Sequence, residues 1–335
     1  MSKQVLVTLS DKNYAPQVKQ MLSSVYHNAG WTGDYLLLDH GIREKDARWF
    51  EDKGILVKHV DPLYEKEFEY FPVTVLSKFY LFTKAFKRWD RVLFLDGDII
   101  VDASLDGLTR PSGFVAVHDI QDRTVGGQFF KSKRSGSDPE HRRKWGEIAG
   151  RYDLEKPSFN VGVMSFDTGA IPQGAFEDLN DLFREYGLMT LFNEQAIMNL
   201  YFQGKWRPMP VAYNNYYLYT RRPFSLGFVK CPAIANHFII DKLWNTKNPD
   251  YYPTWKRNLR LAEAIDLDDR PPPAKVWTNA EIARVSAELE GYNCLKNRMA
   301  MGIGGVGNTL DRQAGRFGLW LKRTSPGLYG SVRRR

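Results

Sequence analysis

The sequence predicts an α/β fold: a mainly parallel central sheet flanked by helices, with a helical, basic extension at the C-terminal end. Three observations predict it. The composition of the 335 residues, 43% hydrophobic and 26% charged, is that of a globular chain long enough for a large core. Over the first 120 residues, short apolar runs alternate with helical patterns. The runs are apolar at successive positions rather than at every second one, as in strands covered on both faces.

Residues 5–9 form the first such run, and Val18, Met21, Leu22 and Val25 then recur at the spacing of one helix face. Residues 35–38 are a second strand, 43–53 a short charged helix stopped by Gly54, and 55–57 a third strand. Leu76, Phe79, Tyr80 and Phe86 give a helical period to residues 75–89, and residues 91–95 make a fourth strand that ends in Asp96, Gly97 and Asp98. Ligands of such sheets bind at the carboxyl ends of the strands. Further on, 114–117, 161–166 and 233–240 read as strands and 175–186 and 194–202 as helices, while the polar, basic stretch 121–156 reads as a long mobile loop with a little helix. Pro271, Pro272 and Pro273 mark a boundary between residues 1–265 and 266–335. Past it, Thr278 and Glu281 have capping-box spacing for a helix carrying Ile282, Val285 and Leu289.

The charge is unevenly placed. Of a net +8, the whole excess lies in residues 291–335, which hold nine Lys and Arg against the single acid Asp311; residues 1–290 are formally neutral. A neutral body disfavours nucleic acid as a partner. The basic residues of the tail are interleaved with Phe317, Trp320, Leu321, Leu328 and Tyr329, a composition suited to an anionic membrane surface, and 308–335 are expected to bind one. The structural alternative is a tail packed on the body. Gly302, Gly304 and Gly307 match a dinucleotide fingerprint, but they follow a helix rather than a strand and read as a linker. No run approaches the ~18 apolar residues of a membrane span. The two cysteines, Cys231 and Cys294, give no disulfide framework, and the apolar stretch 5–9 does not resemble a secretion signal. The expected location is the cytoplasm, with peripheral attachment to the inner face of the membrane.

Asp96-Gly97-Asp98 carries the chemistry. Two carboxylates one residue apart, on the turn leaving a buried strand, can reach one cation, and oxygen ligands suit Mn²⁺ or Mg²⁺. Two solvated turn residues are the plain alternative. The surrounding motifs decide between them. Val7-Thr8-Leu9 with Tyr14, Leu76-Ser77-Lys78-Phe79, Phe94 to Asp98, Phe159-Asn160-Val161-Gly162-Val163, Asn193-Glu194-Gln195 with Asn199, Met209 to Asn214, and His237-Phe238 leading to Lys242 and Trp244 occur in this order. Together they resemble retaining glycosyltransferase family 8, the family of glycogenin and of bacterial lipopolysaccharide glucosyl- and galactosyltransferases, over residues 5–244.

The resemblance implies a GT-A fold, a catalytic domain over 1–265, and transfer of a glucose or galactose from a UDP-sugar to a carbohydrate, glycolipid or protein hydroxyl. It implies Asp96, Asp98 and His237 as ligands of Mn²⁺, with Mg²⁺ as the substitute. Leu9, Tyr14, Lys78, Asp96, Asn160, Gly162 and Lys242 become donor-binding residues, and Gln195, Glu194 and Asp119 catalytic ones: Gln195 beside the anomeric carbon, the two acids orienting sugar hydroxyls with Asn160. Glu194 stands where the family usually has Asp, and the segment from His237 to Trp244 lacks the usual Gly and Pro. Each residue also has a bland reading: a hydrogen-bonded core histidine for His237, a solvated lysine for Lys78, satisfied buried amides for Asn160 and Gln195. Two other functions share the features. A nucleotidyltransferase would need a basic or Gly-rich phosphate loop after the first strand, where residues 10–16 offer only Lys12. A non-catalytic nucleotide-sugar-binding protein is the other.

Overall fold

The computed structural model describes residues 3–66, 72–119, 124–129, 139–190, 192–216, 232–239 and 242–290. The chain divides into two compact units, residues 1–218 with 230–286, and 219–229 with 287–335. The glycine-rich segment 302–307 and the tail 308–335 lie outside the described residues.

The first half follows the predicted order: β1 (Gln4–Ser10), α1 (Ala15–Asn28), β2 (Asp34–Asp39), α2 (Glu44–Asp52) and β3 (Leu56–His59). Two 3₁₀ segments, Val73–Phe82 and Lys84–Arg88, lead into β4 (Arg91–Leu95). Then come β5 (Ile99–Val101), α3 (Asp106–Thr109), β6 (Phe114–His118), α4 (Pro139–Arg151), β7 (Phe159–Asp167), α5 (Ala175–Tyr186) and α6 (Glu194–Tyr201). β8 (Trp206–Met209), β9 (Ala235–His237), α7 (Leu243–Thr246) and α8 (Tyr252–Leu261) complete the set, before a helix at 279–290. That last helix carries the predicted cap: the Thr278 N–H donates to Glu281 Oε2 at 2.8 Å, and the Glu281 N–H to Thr278 Oγ1 at 3.2 Å.

The main sheet has the order β3-β2-β1-β4-β7-β6-β8. β1 to β4 pair in parallel, β7 is antiparallel to both β4 and β6, and β8 is parallel to β6. Strand side chains alternate between two buried faces. Val5, Val7, Val92 and Phe94 enter one cluster with Leu76, Phe79, Phe183 and Ile197, and Leu6, Leu37 and Leu93 are fully buried on the other face. Phe114 and Phe202 stack at 4.5 Å between ring centroids, and Phe82 and Phe166 at 5.1 Å, so truncating one of these rings would cost about 3–5 kcal/mol.

Three readings change. Residues 75–89 are two 3₁₀ segments parted at an extended Thr83, not one α-helix. Val73, Thr74 and Val75 are β-branched and weak helix formers, and burial of Leu76, Phe79 and Phe86 is served by the tighter turns. The little helix expected in 121–156 is the 13-residue α4, its extent not legible in the sequence because Ile148 is its one buried side chain among charged neighbours. The 233–240 strand shortens to Ala235–His237, with residues 240 and 241 outside the described set. The proline segment runs along the first unit: the Ala274 N–H donates to Asn28 O and the Ser104 N–H to Lys275 O.

Candidate active site

The carboxyl ends of β1 and β4, the start of β7 and the start of α6 surround a cavity of about 480 Å³. All twelve residues expected to form the site line it: Leu9, Tyr14, Lys78, Asp96, Asp98, Asp119, Asn160, Gly162, Glu194, Gln195, His237 and Lys242.

Strand pairing brings the acidic motif to its histidine. Asp96 leaves β4 opposite β7, its N–H donating to Gly162 O at 2.9 Å. Asp98 immediately precedes β5, which pairs antiparallel with β9 so that Ile99 faces His237; the Phe238 N–H closes the pair on Asp98 O at 3.0 Å. His237 Nε2 then lies 3.1 Å from Asp98 Oδ1 and 3.8 Å from Asp96 Oδ2. One ligand atom from each of the three residues lies within 4.8 Å of the others. Two glycines permit this crowding. A Cβ at Gly162 would sit 2.2 Å from His237 Cε1, and one at Gly97 would sit 2.9 Å from Val18 Cγ2. Two carboxylates and an imidazole nitrogen fit a divalent cation that accepts both oxygen and nitrogen, such as Mn²⁺.

The surrounding charges are paired. Lys78, buried, sits 3.1 Å from Asp96 Oδ1 and 3.1 Å from Glu194 Oε1. Burial alone would pull its ammonium down, but the two carboxylates overcome it and hold it above the usual lysine range. Glu194 shares that one cation with Asp96, so burial, together with the Asp96 charge, pushes its carboxyl up. Asp98 is the opposite case: burial pushes it up, but Lys242 and His237 outweigh this and hold it well below the usual carboxylate range. Lys242 bonds Asp98 Oδ2. Burial, with Asp98, Asp96 and Asp11 nearby, pushes the Tyr14 hydroxyl up, so it stays protonated. Tyr14 is edge-on to Trp244, with ring centroids 5.4 Å apart.

The β7 side is built from amides. Asn160 Nδ2 donates to Gln195 Oε1 at 3.1 Å, and Gln195 Nε2 to Asp119 Oδ2 at 2.6 Å. Asp119 also accepts from Gln128 Nε2 at 3.0 Å and the Tyr216 hydroxyl at 2.9 Å. Asn193, just ahead of Glu194 and Gln195, is buried at the N-cap position of α6 with φ 34°, a strained backbone for a residue with a side chain, and its side chain makes no cap hydrogen bond. Sequence reasoning passed over Asn214, Gln128 and Tyr216. Asn214 lies in the Met209 to Asn214 motif with no role attached, Gln128 in the polar stretch 121–156, and Tyr216 among the aromatics of residues 213–219, a composition common to cores, strand faces and sugar-stacking surfaces.

A sequence model of Glycosyl transferase family 8 matches residues 5–248. The chain is 23% identical over 264 residues to glycosyltransferase GlyF of Streptococcus pneumoniae serotype 4, covering 73% of this chain and 58% of GlyF. It is 25% identical over 192 residues to galactinol synthase 1 of Arabidopsis thaliana, covering 52% of this chain and 51% of that protein. The chain thus spans little more than half the length of these two relatives. A crystal structure of the galactosyltransferase LgtC with donor and acceptor sugar analogs superposes with a TM-score of 0.56 at 19% identity, over 78% of this chain and 95% of LgtC. The fold is that of the GT-A glycosyltransferases.

Proposed function

The chain belongs to glycosyl transferase family 8, and from that premise we propose that it moves a hexose, glucose or galactose, from a UDP-sugar to a hydroxyl acceptor with retention at the anomeric carbon. The observation that carries this reading is the convergence of Asp96, Asp98 and His237 within 4.8 Å of one another at the strand ends. A divalent ion held there, Mn²⁺ or in its place Mg²⁺, would supply Lewis-acid stabilisation of the departing diphosphate.

The chain's own residues do the rest. Leu9 and Tyr14 line the end of β1, where the uridine would lie, and Lys242 can turn its ammonium from Asp98 to a phosphate oxygen. Lys78 is committed to Asp96 and Glu194, so it balances their charge rather than meeting the phosphates directly. Asn160 and Glu194 face the sugar hydroxyls, Gly162 lets the backbone approach the sugar closely, and Asp119 holds Gln195. Gln195 would lie beside the anomeric carbon. An amide is a poor nucleophile, which favours departure and attack on one face over a covalent adduct. The bond from the anomeric carbon to UDP breaks, the acceptor oxygen bonds the same face, and the acceptor proton passes to the leaving phosphate oxygen. Fixed charge at the leaving group supplies most of the rate.

The acceptor is a carbohydrate, glycolipid or protein hydroxyl. Among the described residues no helix is long and apolar enough to cross a membrane; peripheral attachment through 308–335 at an inner membrane surface is part of the proposal. Screening UDP-glucose, UDP-galactose and UDP-N-acetylglucosamine for Mn²⁺-dependent UDP release tests it. Release with one of the hexoses is expected, and turnover of none would contradict it.

A further inference from the structure

The N–H groups of Gly162 and Val161 fix the orientation of Asn160 and Gln195, and through Asn160 that of Asn214. A backbone N–H can only donate. The Gly162 N–H points at Asn160 Oδ1, 2.9 Å away, so that atom is the oxygen and the other, at 3.1 Å from Gln195, is the NH₂. The Val161 N–H reaches the same Gln195 Oε1 at 3.2 Å, which independently makes it the acceptor and turns the Gln195 NH₂ to Asp119. Asn160 Oδ1 also accepts from Asn214 Nδ2 at 2.8 Å. Asn214 must therefore present its oxygen to His237 Nδ1, 3.0 Å away, and that nitrogen must carry the hydrogen. Every link runs the same way: His237 donates to Asn214, Asn214 to Asn160, Asn160 to Gln195, and Gln195 to the Asp119 carboxylate. All five residues are buried, and turning any one amide would set like groups face to face.

Resting on the metal-binding reading above, we infer that this one-way chain positions His237 for the metal, and that Asn214 and Asp119 are positioning residues that couple the metal ligand to Gln195. With Nδ1 committed as a donor, Nε2 is the nitrogen left to face Asp96 and Asp98. The amide oxygens all point toward the His237 end and the NH₂ groups toward Asp119, whose negative charge stabilises that alignment. An imidazole whose N–H is held by such an acceptor is a better ligand through its other nitrogen.

The test is Mn²⁺ binding to the full-length protein, read by the spin-resonance signal of the free ion, with no sugar present. Asn214→Leu removes the acceptor and should weaken Mn²⁺ binding about 10–100-fold. Asn214→Asp keeps an oxygen on His237 Nδ1 but sets its second oxygen against Asn160 Oδ1, which the Gly162 N–H holds as an acceptor, so it should recover no more than part of that loss. In the Mg²⁺-loaded protein the His237 Nδ1 proton should give a solvent-protected NMR resonance; this reading does not depend on the leucine variant folding. Mn²⁺ binding by Asn214→Leu within about twofold of wild type, or a rapidly exchanging Nδ1 proton, would overturn the inference while wild-type binding stands. Failure of the wild-type protein itself to bind Mn²⁺ would overturn the metal reading beneath it.

Discussion

On its β4 side the cavity wall is ionic, and on its β7 side it is made of amides. Lys78, Asp96, Glu194, Asp98 and Lys242 interlock as charges of opposite sign. Asn160, Gln195 and Asn214 interlock as neutral dipoles that end on the one carboxylate of Asp119. Charges attract at any angle, so the ionic wall can exchange partners: Lys242, a quarter exposed, can leave Asp98 for a phosphate at little geometric cost. An amide chain tied to two backbone N–H groups has one arrangement only. The first wall suits a ligand that brings and takes away charge, and the second suits holding a reacting carbon in place. His237 belongs to both, with Nε2 toward the acids and Nδ1 toward Asn214.

The largest effects should come from breaking the ionic wall. Asp98→Asn removes a charge and a ligand atom, and Mn²⁺-dependent UDP release should fall at least about 1000-fold, ~4 kcal/mol in transition-state energy, with circular dichroism unchanged. Turnover within about twofold of wild type would be inconsistent with a lost ligand. Lys78→Met leaves Glu194 buried without its cation, and urea unfolding should show a loss of about 3–5 kcal/mol. Pairing it with Glu194→Leu should recover part of that loss, since the uncompensated charge is then gone; a double variant no more stable than the single would mean that Lys78 acts through packing.

The amide wall should give smaller losses of rate. Gln195→Ala should slow turnover about 10–100-fold without abolishing it, because the residue positions and polarises. Mass spectrometry of the trapped enzyme should find no glycosyl adduct; one on Gln195 or Glu194 would replace single-face transfer with double displacement. The smallest effect on chemistry should follow truncation after Gly307. UDP-sugar hydrolysis should stay within about twofold of wild type, while co-sedimentation with anionic liposomes at low salt is lost. Equal sedimentation of both forms would remove the membrane from the account.

The same contrast governs what the sequence shows. β1, β2 and β4 are buried on both faces, so they appear as apolar runs, whereas β3 at the sheet edge is partly exposed; the acidic turn after β4 is legible at once. The β5–β9 ribbon is three residues long on each strand, too short for any period, yet it is what brings His237 to Asp98. α8 buries only Trp255 and Asn258, and α4 only Ile148, so neither gives a clear apolar stripe. In the site, Asp96 and Asp98 were found by type and spacing, and the other charged residues through the family resemblance. Asn214, Gln128 and Tyr216 were not, because a hydrogen-bonding side chain reveals its partner only once the fold supplies one. Asp119 was expected at the sugar; its carboxylate accepts from Gln195, Gln128 and Tyr216.

Metal-dependent cleavage of a UDP-hexose, as proposed for this site, is read by UDP release from UDP-glucose and UDP-galactose by the chelated and then Mn²⁺-restored protein. Chelation should abolish release, Mn²⁺ should restore it, and Asp98→Asn should respond to neither. Release that persists in the chelator, or that Asp98→Asn retains in full, would contradict it.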